Sequence, residues 1–198
     1  MYEFCVFLHT KTEQIMSIAY QLSFVRGTLP EDVTLVAVSK THPAGAIREA
    51  YDAGHRIFGE SRPQELREKY DVLPKDIEWH MIGHLQTNKI KKVLGRASLI
   101  QSVGSEHLLT AIEKEAAKAG IVQNVLLEVN IGGEAQKGGI APCELKDLLS
   151  IISELPGIRV KGLMCVPPAV GEEEARRYFA SMRRLFEDIA SAGIPGVD

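Results

Sequence analysis

The stretch Val33-Thr-Leu-Val-Ala-Val-Ser-Lys40 decides the fold class, because it is an apolar, strand-sized run that ends on a lysine. Thr41-His-Pro43 follows at once and is typical of a helix start. A buried strand that leads directly into a helix is the repeating unit of α/β proteins. Such folds place their chemistry at the carboxyl ends of their strands, so a primary amine at this point suggests a Schiff base.

The same alternation of strand and helix continues to the end of the chain. A regular βα repeat without a Gly-x-Gly-x-x-Gly turn favours either an open doubly wound sheet or a (β/α) barrel, and a closed barrel needs eight strands. The pattern predicts six strands, each followed by a helix. The strands are near residues 33–40, 56–61, 78–83, 98–103, 122–131 and 158–166, and the helices are near 43–53, 62–71, 86–95, 105–119, 142–155 and 172–192.

Composition indicates an ordinary globular chain. With 198 residues, 45% apolar content and a formal charge of -3, the chain can bury a sizeable core as one domain. Residues 89–96 form only a small basic stretch, so we expect no nucleic-acid partner. The apolar runs are too short for a membrane helix. Cys5, Cys143 and Cys165 are widely spaced and odd in number, which favours a reducing, cytoplasmic location over a disulfide framework.

The N-terminal segment joins no visible period. A helical pattern begins only near Gln14, so residues 1–15 are interpreted as a non-native or disordered extension, and Met16 as a candidate natural start. Residues 16–198 are then expected to form a single barrel domain.

Four motifs occur in order and in a familiar spacing, and the Val129-Asn-Ile131 strand end with Lys137-Gly-Gly-Ile140 adds a fifth match. The chain therefore resembles the pyridoxal phosphate homeostasis protein family, from about Met16 to its last residue. The four motifs are Leu35-Val-Ala-Val-Ser-Lys40; Phe58-Gly-Glu-Ser61 with Gln64-Glu65; Trp79-His80-Met-Ile-Gly83 with Leu85-Gln-Thr-Asn-Lys89; and Gly162-Leu-Met164.

The resemblance implies a TIM-type (β/α) barrel of the alanine racemase N-terminal kind, with six of the eight βα units present. It also implies that Lys40 carries pyridoxal 5'-phosphate as a Schiff base. Members of the family are associated with vitamin B6 and amino-acid homeostasis and are not known for a catalytic turnover. PLP-dependent apoenzymes are candidate recipients of the cofactor, and full-length relatives are expected to be monomers.

Three further residues are candidates for the cofactor pocket. Ser61, His80 and Met164 end or nearly end their strands, and they would face the same mouth as Lys40 if each strand keeps its inward alternation. Each could equally be an ordinary core residue. His80 and His84 are four apart, but that spacing aligns metal ligands on a helix and not across a strand end, so no metal site is predicted.

The sequence departs from the family at its C-terminal end. In relatives, a serine-rich segment after the seventh strand and an Arg-Ile-Gly segment at the eighth hold the phosphate, and neither occurs here. The chain is therefore interpreted as truncated, and we expect weakened cofactor affinity. Exposed strand edges would favour self-association.

Two other classes of function stay open. A racemase-like enzyme or a Schiff-base lyase would need an acid or base opposite Lys40, and the sequence alone identifies no partner for that role. An interaction module would use the barrel as a scaffold, and Lys40 would then be dispensable.

Overall fold

The computed structural model describes residues 17–134 and 137–194 and the backbone of residues 2–6. The strands are β1 Tyr2–Val6, β2 Val33–Val38, β3 Ile57–Glu60, β4 Glu78–Met81, β5 Ala97–Val103, β6 Gln123–Glu128 and β7 Ile158–Met164. The helices are α1 Ile18–Thr28, α2 Ala44–Asp52, α3 Pro63–Val72, α4 Ile90–Val93, α5 Glu106–Ala119, α6 Leu145–Ile151 and α7 Glu172–Ser191. Short 3₁₀ turns, Thr87–Lys89 and Ile152–Glu154, precede α4 and follow α6.

The seven strands form one sheet in which every described pair is parallel and the strand order follows the chain, from β1 to β7. A doubly wound sheet would reverse its strand order at a switch point. Right-handed crossovers that all run in one direction place all helices on one face of the sheet. The sheet is therefore a barrel wall with an outer helix layer, and the doubly wound alternative is wrong.

The first strand was not predicted. Tyr2–Val6 pairs in parallel with β2, from Tyr2 opposite Val33 to Val6 opposite Ala37. This part of the predicted N-terminal extension is therefore a strand and not a disordered segment, and the described sheet has seven strands where six were expected. Residues 7–15 lie outside the described part of the chain.

The other elements match their predicted positions, with small differences at their ends. The helix predicted over 86–95 is a 3₁₀ turn followed by the single α-helical turn of α4, and the helix predicted over 142–155 begins at Leu145. Terminal residues of this kind are the least certain part of a pattern-based prediction. Within the described chain, no helix has both the length and the apolar character needed to cross a membrane.

The main core lies between the sheet and the helices. Trp79 and Phe58 are fully buried there with ring centroids 5.9 Å apart, and Leu66 of α3 and Leu109 of α5 are fully buried in the same cluster. Because strand residues alternate between faces, the residues between these core positions face the inside of the barrel wall. That inner face carries the candidate site.

Candidate functional site

Lys40 lies in a tight turn at the carboxyl end of β2. The strand ladder continues one residue past β2, because Ser39 N donates to Gly59 O at 3.0 Å, and the chain then turns with His42 N donating to Ser39 O at 3.0 Å. Thr41 has a φ of 66°, and it is the only described residue other than glycine with a positive φ. A β-branched residue in this left-handed region is uncommon, which indicates that the surrounding contacts fix the turn.

Contacts on the helix side of the sheet show which way Lys40 points. Ser39 Oγ donates to Glu60 Oε1 at 2.7 Å, and Lys69 of α3 donates to the same oxygen at 2.6 Å. Ser39 and Glu60 therefore face the helix layer. Lys40 and Ser61 follow directly after Ser39 and Glu60, so if the alternation of β2 and β3 continues past the strand ends we expect both to face the inner side of the barrel wall. Lys40 is half-buried there.

Strand register places Ser61 in the same layer as Lys40. Val38 pairs with Gly59, and Gly59 pairs with His80, so these three residues form one inner layer across β2, β3 and β4. Lys40 and Ser61 follow two residues after Val38 and Gly59, just past the ends of the paired strands β2 and β3. The structure thus places these two predicted site residues after the ends of neighbouring strands.

His80 lies one layer deeper in the sheet than Lys40. Two residues along a strand separate the two layers, which is a distance of about 6.6 Å. It is buried, and its Nδ1 lies 2.9 Å from Nε2 of Gln101, which is buried on β5. In this arrangement the amide donates and the ring nitrogen accepts. The predicted pocket role of His80 therefore concerns the floor of the site and not its rim.

Gln101 was not singled out from the sequence. It is a polar residue inside the apolar strand β5, and such an interruption of a buried run is the signal that could have identified it. Its partner His80 belongs to a strand that ends about 20 residues earlier, so the pairing itself needs the fold.

Met164 ends β7 and is half-buried. It pairs with Glu128, the last residue of β6, and four strands lie between its strand and the one that ends at Lys40. Met164 is thus part of the same strand-end edge as Lys40, although it is not its neighbour along the sheet. Its contact with a cofactor stays a prediction.

Glu128 is an acidic residue at this edge that the sequence reasoning missed. Val125 and Leu127 of β6 belong to the helix-side core, so Glu128 falls on the inner side by alternation. It is half-buried, and burial raises the pKa of its carboxyl above the ordinary value, while the nearby charge of His84 acts in the opposite direction. The sequence signal that could have identified Glu128 is a single acidic residue at the end of a strand whose preceding residues are apolar.

The loop after β6 is held by its own side chains. Asn130 donates from Nδ2 to Glu134 O at 2.9 Å and to Lys137 O at 3.3 Å, and its Oδ1 accepts from Glu134 N. Lys137 Nζ lies 2.6 Å from a carboxylate oxygen of Glu134 and donates to Pro167 O at 3.2 Å. These contacts connect the segments that follow β6 and β7, at the carboxyl-end edge of the sheet where Lys40 also lies.

Comparison with known proteins identifies the family of this chain. Residues 15–197 match the family model described as the N-terminal domain of alanine racemase. A pyridoxal phosphate homeostasis protein of Aquifex aeolicus (strain VF5) is 46% identical over 157 residues, which cover 78% of this chain and 69% of that protein. The chain belongs to the pyridoxal phosphate homeostasis protein family.

Two solved structures of a relative share the fold of this chain over about nine tenths of its length. PipY of Synechococcus elongatus PCC7942 without PLP superposes with a TM-score of 0.86 at 36% identity, over 91% of this chain and 85% of PipY. PipY with PLP bound gives a TM-score of 0.80 at 35% identity, over 90% and 84% of the two chains. The predicted fold, a TIM-like α/β fold of the alanine racemase N-terminal kind, is confirmed.

Proposed function

We propose that the chain binds pyridoxal 5'-phosphate and carries it as a Schiff base on Lys40, serving vitamin B6 and amino-acid homeostasis in the cytoplasm without a turnover of its own. The observation that supports this proposal is the position of Lys40, half-buried in a tight turn at the carboxyl end of β2. The names of its relatives and the PLP-bound form of PipY support it.

The residues present fit the cofactor in three respects. Lys40 would supply a primary amine and Ser61, after the neighbouring strand, a hydroxyl. The buried pair of His80 and Gln101 would form a polar floor beneath them. Met164 would add a polarizable apolar contact at the same edge. The six units from β2α2 to β7α7 would correspond to six of the eight units of a closed barrel, and β1 would be an additional strand that pairs with β2.

The chemistry of attachment is a condensation at one nitrogen. The Nζ of Lys40 forms a C=N bond with the aldehyde carbon, and the aldehyde oxygen leaves as water. The role of the protein is to keep the amine pointed at the inner face and partly shielded from solvent. PLP-dependent apoenzymes would then receive the cofactor from this carrier.

Absorption spectroscopy tests the proposal. Pyridoxal 5'-phosphate added to the wild-type chain is expected to give a saturable visible band that a Lys40→Ala variant lacks. Lys114→Ala, which removes an exposed lysine from α5, is the matched control and is expected to keep the band. An equal band from the Lys40→Ala variant would refute the assignment of Lys40.

One observation favours an enzymatic alternative. Glu128 is a half-buried carboxyl on the inner side of the same strand-end edge, and its raised pKa is of the kind that suits a general acid or base. A racemase-like activity would exchange the α-proton of an amino acid with solvent deuterium, which NMR detects. Exchange that requires both Lys40 and Glu128 would favour the enzyme over the carrier.

A further inference from the structure

A buried ammonium group lies on the helix side of the turn that carries Lys40. Lys69 Nζ donates to Glu60 Oε1 at 2.6 Å, to Ser39 O at 2.8 Å and to Glu65 Oε2 at 3.2 Å. An ammonium has three protons, and these three acceptors use all of them. The side chain of Lys69 is 10% exposed and that of Glu60 is fully buried.

These contacts hold the backbone on both sides of Lys40. The carbonyl of Ser39, which immediately precedes Lys40, accepts from Lys69. The N–H of Thr41, which immediately follows it, donates to the same Glu65 oxygen that Lys69 contacts, at 3.0 Å. Glu65 thus connects the ammonium to the residue with the left-handed φ.

The cluster of Lys69, Glu60 and Glu65 is not arranged in a way that would contribute much to the stability of the fold. Burial raises the pKa of Glu60, while the hydrogen bonds from Lys69 and Ser39 oppose that rise. Its second oxygen, Oε2, is buried without a hydrogen-bond partner among the described residues. A buried ion pair often contributes no more than apolar residues of the same size, and an unsatisfied carboxylate oxygen is costly. What the cluster does fix is the local backbone geometry.

We propose that Lys69 is a positioning residue for Lys40: together with Glu60 and Glu65 it holds the turn over residues 39–41, so that the Lys40 amine emerges in one direction on the inner face of the barrel wall. This inference rests on the proposed function, since it assigns a role in the capture of pyridoxal 5'-phosphate by Lys40. Lys69 itself lies on the opposite side of the sheet and does not touch the cofactor.

The test measures the rate of covalent capture. The chain is mixed with pyridoxal 5'-phosphate, quenched with borohydride at successive times, and the label on the Lys40 peptide is quantified by mass spectrometry. Lys69→Met, which keeps an unbranched side chain one atom shorter and removes the charge, is expected to slow labelling at least about tenfold, as small misplacements of reacting groups do. The slow labelling of exposed lysines serves as the internal standard.

A control separates positioning from general loss of stability. Leu109→Ala removes fully buried side-chain volume from α5, away from the turn, and is compared at a temperature where both variants are folded by circular dichroism. It is expected to label at the wild-type rate. If Leu109→Ala and Lys69→Met slow labelling equally, the inference is refuted.

A milder pair of variants decides the question if Lys69→Met does not fold. Glu65 is partly exposed, so Glu65→Ala should be tolerated, and it removes the acceptor of the Thr41 N–H. We expect slower labelling in Glu65→Ala and recovery in Glu65→Gln, whose amide oxygen can still accept. Wild-type labelling in both would overturn the inference and leave the proposed function intact. A wild-type chain that is not labelled at Lys40 would overturn the proposed function itself.

Discussion

Gly83, after β4, packs directly against the backbone of Ser61, after β3. A Cβ placed on Gly83 would lie 2.4 Å from Ser61 O and 2.8 Å from Ser61 Cβ. No side chain fits in this space without a shift of the main chain. The close approach fixes the strand-end layer that contains both Ser61 and Lys40.

Gly83→Ala is therefore expected to destabilise the fold by about 1–3 kcal/mol, because the added methyl group would displace backbone and not a flexible side chain. Urea denaturation measures the change. Gly45→Ala is the matched control: the position lies in α2 with nothing within 4 Å of a Cβ, so it should gain about 0.5–1 kcal/mol. Equal stability of the wild type and Gly83→Ala would contradict the close packing.

The buried pair of Lys69 and Glu60 gives a second prediction, on stability. Removing one partner leaves the other charge buried, so Lys69→Met should cost about 3–5 kcal/mol. The double variant with Glu60→Gln should cost less than the sum of the two single changes, because no uncompensated charge then remains. Additive effects in a double-mutant cycle would show that the two groups are not coupled.

His55 predicts a dependence of stability on pH. Its ring is buried, with Nε2 2.8 Å from Ile57 O and Nδ1 3.0 Å from a guanidinium nitrogen of Arg26, and burial holds its pKa below the usual value. Below about pH 6.5 the unfolded chain then binds more protons than the folded one, so stability falls as the pH drops through this range.

The His55 contribution is isolated by comparison with a variant. Glu60 and Glu128 have raised pKa values and act in the opposite direction, so the free energy of unfolding of the wild type alone is a mixed signal. The difference between the wild type and His55→Gln at pH 8 should shrink at pH 5. A difference that does not change with pH would mean that the pKa of His55 is the same in the folded and the unfolded chain, and would contradict the prediction.

Self-association is the fourth prediction. Within the described sheet β7 pairs only with β6, and it therefore presents an edge, close to Val166, which is 62% exposed. Such an edge can pair with a second copy. Light scattering is expected to give a mass that rises with protein concentration. A constant monomer mass together with a cooperative melt would argue against it.

The sequence predicted the parts of this molecule that depend on local pattern. Apolar runs and helical periods located β2 to β7, and the strand end at Lys40 followed from one such run. β1 was missed because Tyr2–Val6 is a short run with a charged residue, Glu3, within it, which periodicity alone cannot assign without knowledge of its pairing with β2.

The contacts that support the site depend on distant parts of the chain. In the sequence Lys69 is an ordinary cation of a predicted helix, and only the fold places Ser39 and Glu60 against it. His80 and Gln101 likewise come into contact only because their two strands pair. The layer difference between His80 and Ser61 likewise follows from strand register, which sequence spacing does not specify.

The central claim, that Lys40 is the residue that captures pyridoxal 5'-phosphate, is tested most directly by borohydride reduction of the mixture at equilibrium followed by peptide mass spectrometry. We expect one reduced adduct per chain, located on Lys40, at cofactor concentrations where exposed lysines are unmodified. Adducts spread over exposed lysines, with Lys40 unlabelled, would contradict it.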